Sequence, residues 1–112
     1  MRLLCLAALT SCALLTGCGT VCDTAMHAEQ RANQKGRDCN AGNITVHDAN
    51  TSNSGLSKCS QDDMREIQLY AECLDALPVC TSSNSTSFAF QRLGCVAQPI
   101  GRISASCAAA IF

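Results

Sequence analysis

The chain has 112 residues, a net charge of −1 and ten cysteines, with no Trp, one Tyr and three Phe. One small domain is the ceiling at this length, and so few large apolar side chains make a thin core. The near-neutral charge and the absence of a basic cluster argue against nucleic-acid binding, since phosphate neutralisation needs a basic face. The cysteine density points instead to a disulfide scaffold in an oxidising compartment.

Residues 1–17 read as an export signal. Arg2 is its positive end, and Leu3 to Leu15 is an apolar run broken only by Thr10 and Ser11. A spanning helix needs about 20 apolar residues, so the run is too short to anchor the chain by itself. It ends in Leu15-Thr16-Gly17-Cys18. An aliphatic residue, two small residues and a cysteine in this order resemble the lipobox of bacterial lipoproteins. The resemblance implies cleavage before Cys18, a diacylglycerol thioether on its sulfur and acylation of the new amino terminus. Gly19, in place of Asp, implies passage to the outer membrane. Several acyl chains on one terminus hold far more firmly than one, which binds only marginally. The whole chain is similar to the small cysteine-rich bacterial lipoproteins of myxobacterial type. Cys73-Leu-Asp-Ala-Leu-Pro-Val-Cys80 is a second, weaker echo of that family. The expected organisation is a signal peptide over 1–17, a lipid anchor at 18–19 and a cysteine-rich helical domain over 20–112.

In that domain, Thr20 to Lys35 reads as a helix. Thr20-x-x-Asp23 has the form of a capping box, and Val21, Ala25, Ala28 and Ala32 recur at helical spacing. Gly36 is its expected stop. Residues 40–57 are rich in Asn, Ser, Thr and Gly. They read as a long polar loop with a short extended piece at Ile44-Thr45-Val46, and a loop of this length is usually functional or disordered. Ser60-x-x-Asp63 opens the strongest element. Met64, Ile67, Tyr70, Ala71, Leu74 and Leu77 follow at three to four, and Pro78 marks the end. Thr81 to Ser87 is a polar link. Phe88 to Gln98 reads as a third helix with Ala89, Leu93 and Val96 on its buried face, Phe90 flanking it and Pro99 ending it. Ser104 caps a last short helix, Ala105 to Ile111. The expected fold is therefore mainly α: a small disulfide-stapled bundle of three to four short helices with a long polar loop.

Lipidation of Cys18 leaves seven cysteines, an odd number, so one thiol is expected to be unpaired or to link two chains in a dimer. An antiparallel hairpin of the first two helices would set Cys39 beside Cys59 and Cys22 near Cys73. Two of Cys80, Cys95 and Cys107 would then make a further bridge.

No catalytic, cofactor or metal residues are expected. The cysteine spacing lacks the close pairs of zinc sites and redox motifs. His27 and His47 read as exposed side chains, and His47-Asp48 lies in a Ser-rich loop where such neighbours arise by chance. Asp62 and Asp63 sit at a helix start, where capping explains them. The expected function is a non-enzymatic structural or binding role at the bacterial outer membrane. Its partners would be the lipid bilayer, through the acylated terminus, and another envelope protein. A secreted, soluble disulfide-rich effector or toxin-like module is the alternative, and a small hydrolase or redox enzyme the third reading.

Overall fold

The computed structural model describes residues 21–112, and these form a mainly helical, disulfide-stapled bundle. The expected signal peptide, the expected lipobox Leu15-Thr16-Gly17-Cys18 and the expected Thr20 cap lie outside the described residues. No helix among those described is long and apolar enough to cross a membrane.

The first helix, α1, occupies 21–36. Its Ala25, Ala28 and Ala32 are buried, as their spacing requires. The helix does not stop at Gly36 through a left-handed residue. It tightens into a 3-10 turn, Arg37–Cys39, and the left-handed position falls on Asn40, with φ 52°. Asparagine tolerates this conformation better than most residues.

Residues 40–48 then run back along α1 as an extended strap. Asn33 of α1 reads both polar groups of one strap residue. Its amide nitrogen donates to the Ile44 carbonyl at 3.0 Å, and its amide oxygen accepts from the Ile44 N–H at 2.8 Å. Further on, the His47 N–H donates to Glu29 at 3.0 Å. The strap thus climbs from Asn33 to Glu29, antiparallel to the helix. The rest of the expected loop is helical. Asp48 caps α2 (Ala49–Gly55) by accepting from Asn50 and Thr51, and a 3-10 turn, Leu56–Lys58, follows. Local capping chemistry overrides the polar composition that suggested a structureless loop.

The helix α3 (Gln61–Asp75) starts with the expected capping box of Ser60 and Asp63 and buries Ile67, Tyr70, Ala71 and Leu74. Because the strap has returned the chain to the start of α1, α3 runs parallel to α1 rather than antiparallel. Glu29 meets Tyr70, Arg31 meets Asp75, and Lys35 reaches Asp75 and Cys80. The helix α4 (Ser85–Ala97) then descends antiparallel to α3, and α5 (Ala105–Ile111) closes the bundle under its expected Ser104 cap.

This path sets the disulfides: Cys39–Cys80, Cys59–Cys107 and Cys73–Cys95, with Cα separations of 5.7, 4.6 and 5.5 Å. The expected pairs Cys39–Cys59 and Cys22–Cys73 do not form, and no two of Cys80, Cys95 and Cys107 join each other. The antiparallel hairpin behind those expectations is the error. With α1 and α3 parallel, Cys39 lies at the same end as Cys80, while Cys59 sits at the far end beside α5. Cys22 is buried and engaged. The three bridges span 41, 48 and 22 residues. Each closure of this size stabilises by about 3–4 kcal/mol in the chain-entropy picture. That is large for a core whose fully buried apolar side chains are few.

The buried face of α4 also differs from expectation. Phe88, Arg92 and Cys95 point inward, whereas Ala89, Leu93 and Phe90 face solvent and Val96 is half-buried. Pro99 opens a 3-10 turn, Gln98–Gly101, instead of merely ending the helix. With Arg92 buried, the inward face is rotated from the expected one by about one residue, or 100°.

Candidate functional site: a buried carboxylate at the floor of an apolar pocket

Two helices carry a charged residue inside their apolar stripe, and both of these residues hold the strap. On α1, Glu29 lies four residues after Ala25 and three before Ala32, and it is 0% exposed. On α4, Arg92 lies four after Phe88 and three before Cys95. Its guanidinium donates to the carbonyls of Ala41 at 2.5 Å and Gly42 at 2.9 Å, and stands 5.5 Å from the Phe88 ring centroid. Arg92 latches the lower strap, Asn33 the middle and Glu29 the upper end.

Glu29 accepts three hydrogen bonds. Oε1 takes the His47 N–H, while Oε2 lies 2.6 Å from His47 Nδ1 and accepts the Tyr70 hydroxyl, also at 2.6 Å. A carboxylate without solvent is costly unless it is hydrogen-bonded and neutralised, and this cluster does both. The bond to Glu29 raises the His47 pKa above its ordinary value, against the opposing effect of burial. Burial first, and the adjoining carboxylate second, push the Tyr70 hydroxyl far up, so it stays protonated and donates. Phe112 packs edge-on against both rings, with centroids 5.0 Å from His47 and 6.1 Å from Tyr70.

Above this cluster opens a cavity of about 480 Å³. Its apolar wall is Ile44, Val96, Pro99, Ile100, Ala108 and Phe112, and its polar rim is Asn43, Thr45, His47 and Tyr70. The size and the mixture of apolar wall with few polar groups suit a small-molecule site. The strap forms one wall, so the three latches also shape the pocket. Chemically, Glu29 orients the His47 imidazole and spends Nδ1. The hydrogen bond of the ring to Glu29 is made through Nδ1, which leaves Nε2 as the ring's second hydrogen-bonding atom.

His47 is therefore half-buried rather than exposed, and its partner is Glu29 rather than its neighbour Asp48. His27 is exposed, as expected. Cys59, Asp63 and Cys107 place their donor atoms within 4.8 Å of one another. They do not form a metal site, because both sulfurs are joined and the Asp63 oxygens are taken. Asp63 Oδ2 accepts from the Ser60 N–H at 3.0 Å and the Ser104 hydroxyl at 2.7 Å, and Oδ1 from the Ser104 N–H at 2.9 Å. The Ser104 N–H, then the Ser60 N–H and the Ser104 hydroxyl, hold the Asp63 carboxyl down to about 2. Asp63 is a structural clip that starts α3 and ties it to the cap of α5.

The sequence reading missed Glu29, Asn33 and Arg92. A charged residue inside an apolar stripe was the available signal for Glu29 and Arg92, while nothing local marks Asn33. No family model matches this chain, and no curated protein or solved structure matches it either.

Proposed function

We propose that the chain is a membrane-anchored lipoprotein of the bacterial cell envelope, with a non-enzymatic binding role carried by its helical domain. The observation that carries the anchoring is Leu15-Thr16-Gly17-Cys18 directly after a short apolar run. Three disulfides support residence in an oxidising space, since such bonds persist there and are rare in a reducing cytosol. The cavity beside Glu29, His47 and Tyr70 supports a binding role. The imidazole is fixed by Glu29 as a hydrogen-bonding group at the edge of that cavity. The partners in this reading are the bilayer, through acylated Cys18, and a molecule held by the domain. A chain-to-chain disulfide has little support, because six cysteines bond within the chain and Cys22 is buried and engaged.

The test is Cys18→Ala. Membrane fractions should lose the protein, or it should accumulate with its leader uncut. Unchanged processing and fractionation would overturn the anchor. An intact mass with no acyl chains and a soluble product would favour the secreted module instead.

A further inference from the structure

The polar groups of the pocket restrict which ligand it takes. Its wall is aliphatic and aromatic, and no Lys or Arg among the described residues lines it. Among the described residues that line it, the one group that can become cationic is His47, and when it is protonated its charge is matched by the Glu29 carboxylate 2.6 Å away. The Glu29–His47 pair is net neutral when both are ionised. A second carboxylate against the same imidazole would leave one negative charge without a counterion in a low-dielectric site, which is strongly unfavourable. A neutral acceptor meets no such penalty. With Nδ1 held by Glu29, the imidazolium has one remaining N–H, at Nε2, to donate. The Tyr70 hydroxyl is spent on the same carboxylate, so it does not compete for the ligand.

We propose that this cavity is a binding site for an uncharged, predominantly apolar molecule carrying one carbonyl oxygen, such as a ketone, ester or lactone. The carbonyl accepts from His47 Nε2, and the hydrocarbon part lies against Ile44, Val96, Ile100 and Phe112. The inference rests on the binding role proposed above and not on the anchor. Membrane fractionation reports on the anchor separately.

The experiment uses the native protein purified with its disulfides intact, from whichever fraction holds it, and a medium-chain methyl ketone carrying a diazirine. After photolysis, mass spectrometry of peptides locates the adducts. They should concentrate on the strap peptide containing Ile44 to His47 and on the peptides containing Val96, Ile100 and Phe112. At about pH 6, below the ordinary histidine value that Glu29 raises and above the carboxyl range, the imidazole is protonated and a fatty carboxylate in water is ionised; unlabelled ketone should compete and the carboxylate of equal chain length should not. Thr45→Trp should abolish labelling by filling the cavity from the strap. Ile100→Asp, at a position 76% exposed and so tolerant of change, should lower labelling about tenfold, equivalent to losing the apolar contact of one aliphatic side chain. Both variants are checked for the wild-type disulfide map. Three results would overturn the proposal: adducts spread over the exposed Phe90 and Leu93 of α4, equal competition by the carboxylate, or wild-type labelling in both variants.

Discussion

Glu29 and His47 are 18 residues apart, and they meet because the strap runs back along α1. Both oxygens of the carboxylate are used on this one residue: Oε1 on its backbone N–H, and Oε2 on its imidazole. The contact is thus a chain reversal and a site residue at once. Loss of Glu29 would free the strap end and release the imidazole together.

The pH dependence of this pair has a definite sign. The folded pKa of His47 is raised by Glu29, so its contribution to stability is complete below the unfolded value of about 6.5. That contribution is lost as pH rises through the higher folded value. Glu29 and Tyr70 are the titratable groups facing the ring. In a proton NMR titration, Glu29→Gln should lower the His47 midpoint. In thermal melts, His47→Gln should flatten the fall in Tm on the alkaline side.

At the acid end the sign reverses. Asp63 is held down to about 2 by the Ser104 and Ser60 donors. Its stabilisation is present above the unfolded carboxyl pKa of about 4 and lost as pH falls from there towards 2. Asp63→Asn should be less stable than wild type at neutral pH, and the difference should shrink through that window. Chemical denaturation at a series of pH values measures it.

Arg92 tests the strap directly. Arg92→Met keeps much of the packing and removes two charge-assisted bonds to the Ala41 and Gly42 carbonyls. A loss of about 2–3 kcal/mol is expected. Faster amide exchange should appear over residues 41–47 before it appears in α3. Arg92→Lys should restore little, because one ammonium cannot reproduce the planar two-point geometry.

Gly55 marks the close approach of α2 and α5. A Cβ there would run into the backbone of Ala110, with the carbonyl carbon 2.9 Å away. Nearby, the Ser52 hydroxyl donates to the Ile111 carbonyl at 3.0 Å. Gly55→Ala should therefore destabilise by about 1–3 kcal/mol through overpacking, despite alanine's better helix propensity. The thermal midpoint reads this.

Local signals were legible and the long-range path was not. The Ser60–Asp63 capping box, the α3 stripe and the Ser104-capped last helix follow from nearest-neighbour chemistry, and the structure has them. The direction of α3 relative to α1 depends on whether residues 40–58 make a short turn or a full return. That choice is made by Asn33, Glu29 and Arg92, whose partners are backbone groups 11 to 51 residues away. Periodicity cannot find such partners. Arg92 and Glu29 escape a local reading for the same reason: what neutralises or satisfies them is remote in sequence. An antiparallel hairpin implies Cys39–Cys59 and Cys22–Cys73, and the parallel path gives Cys39–Cys80, Cys59–Cys107 and Cys73–Cys95 instead.

The fold depends on the strap carrying the chain back, so that α1 and α3 lie parallel and the pocket forms between the strap, Tyr70 of α3 and the C-terminal segment from Val96 to Phe112. Non-reducing peptide mapping of the native protein by mass spectrometry tests this most directly. Cys39 should be found joined to Cys80, Cys59 to Cys107 and Cys73 to Cys95. A peptide joining Cys39 to Cys59 would restore the antiparallel hairpin and contradict the fold, the latches and the pocket together.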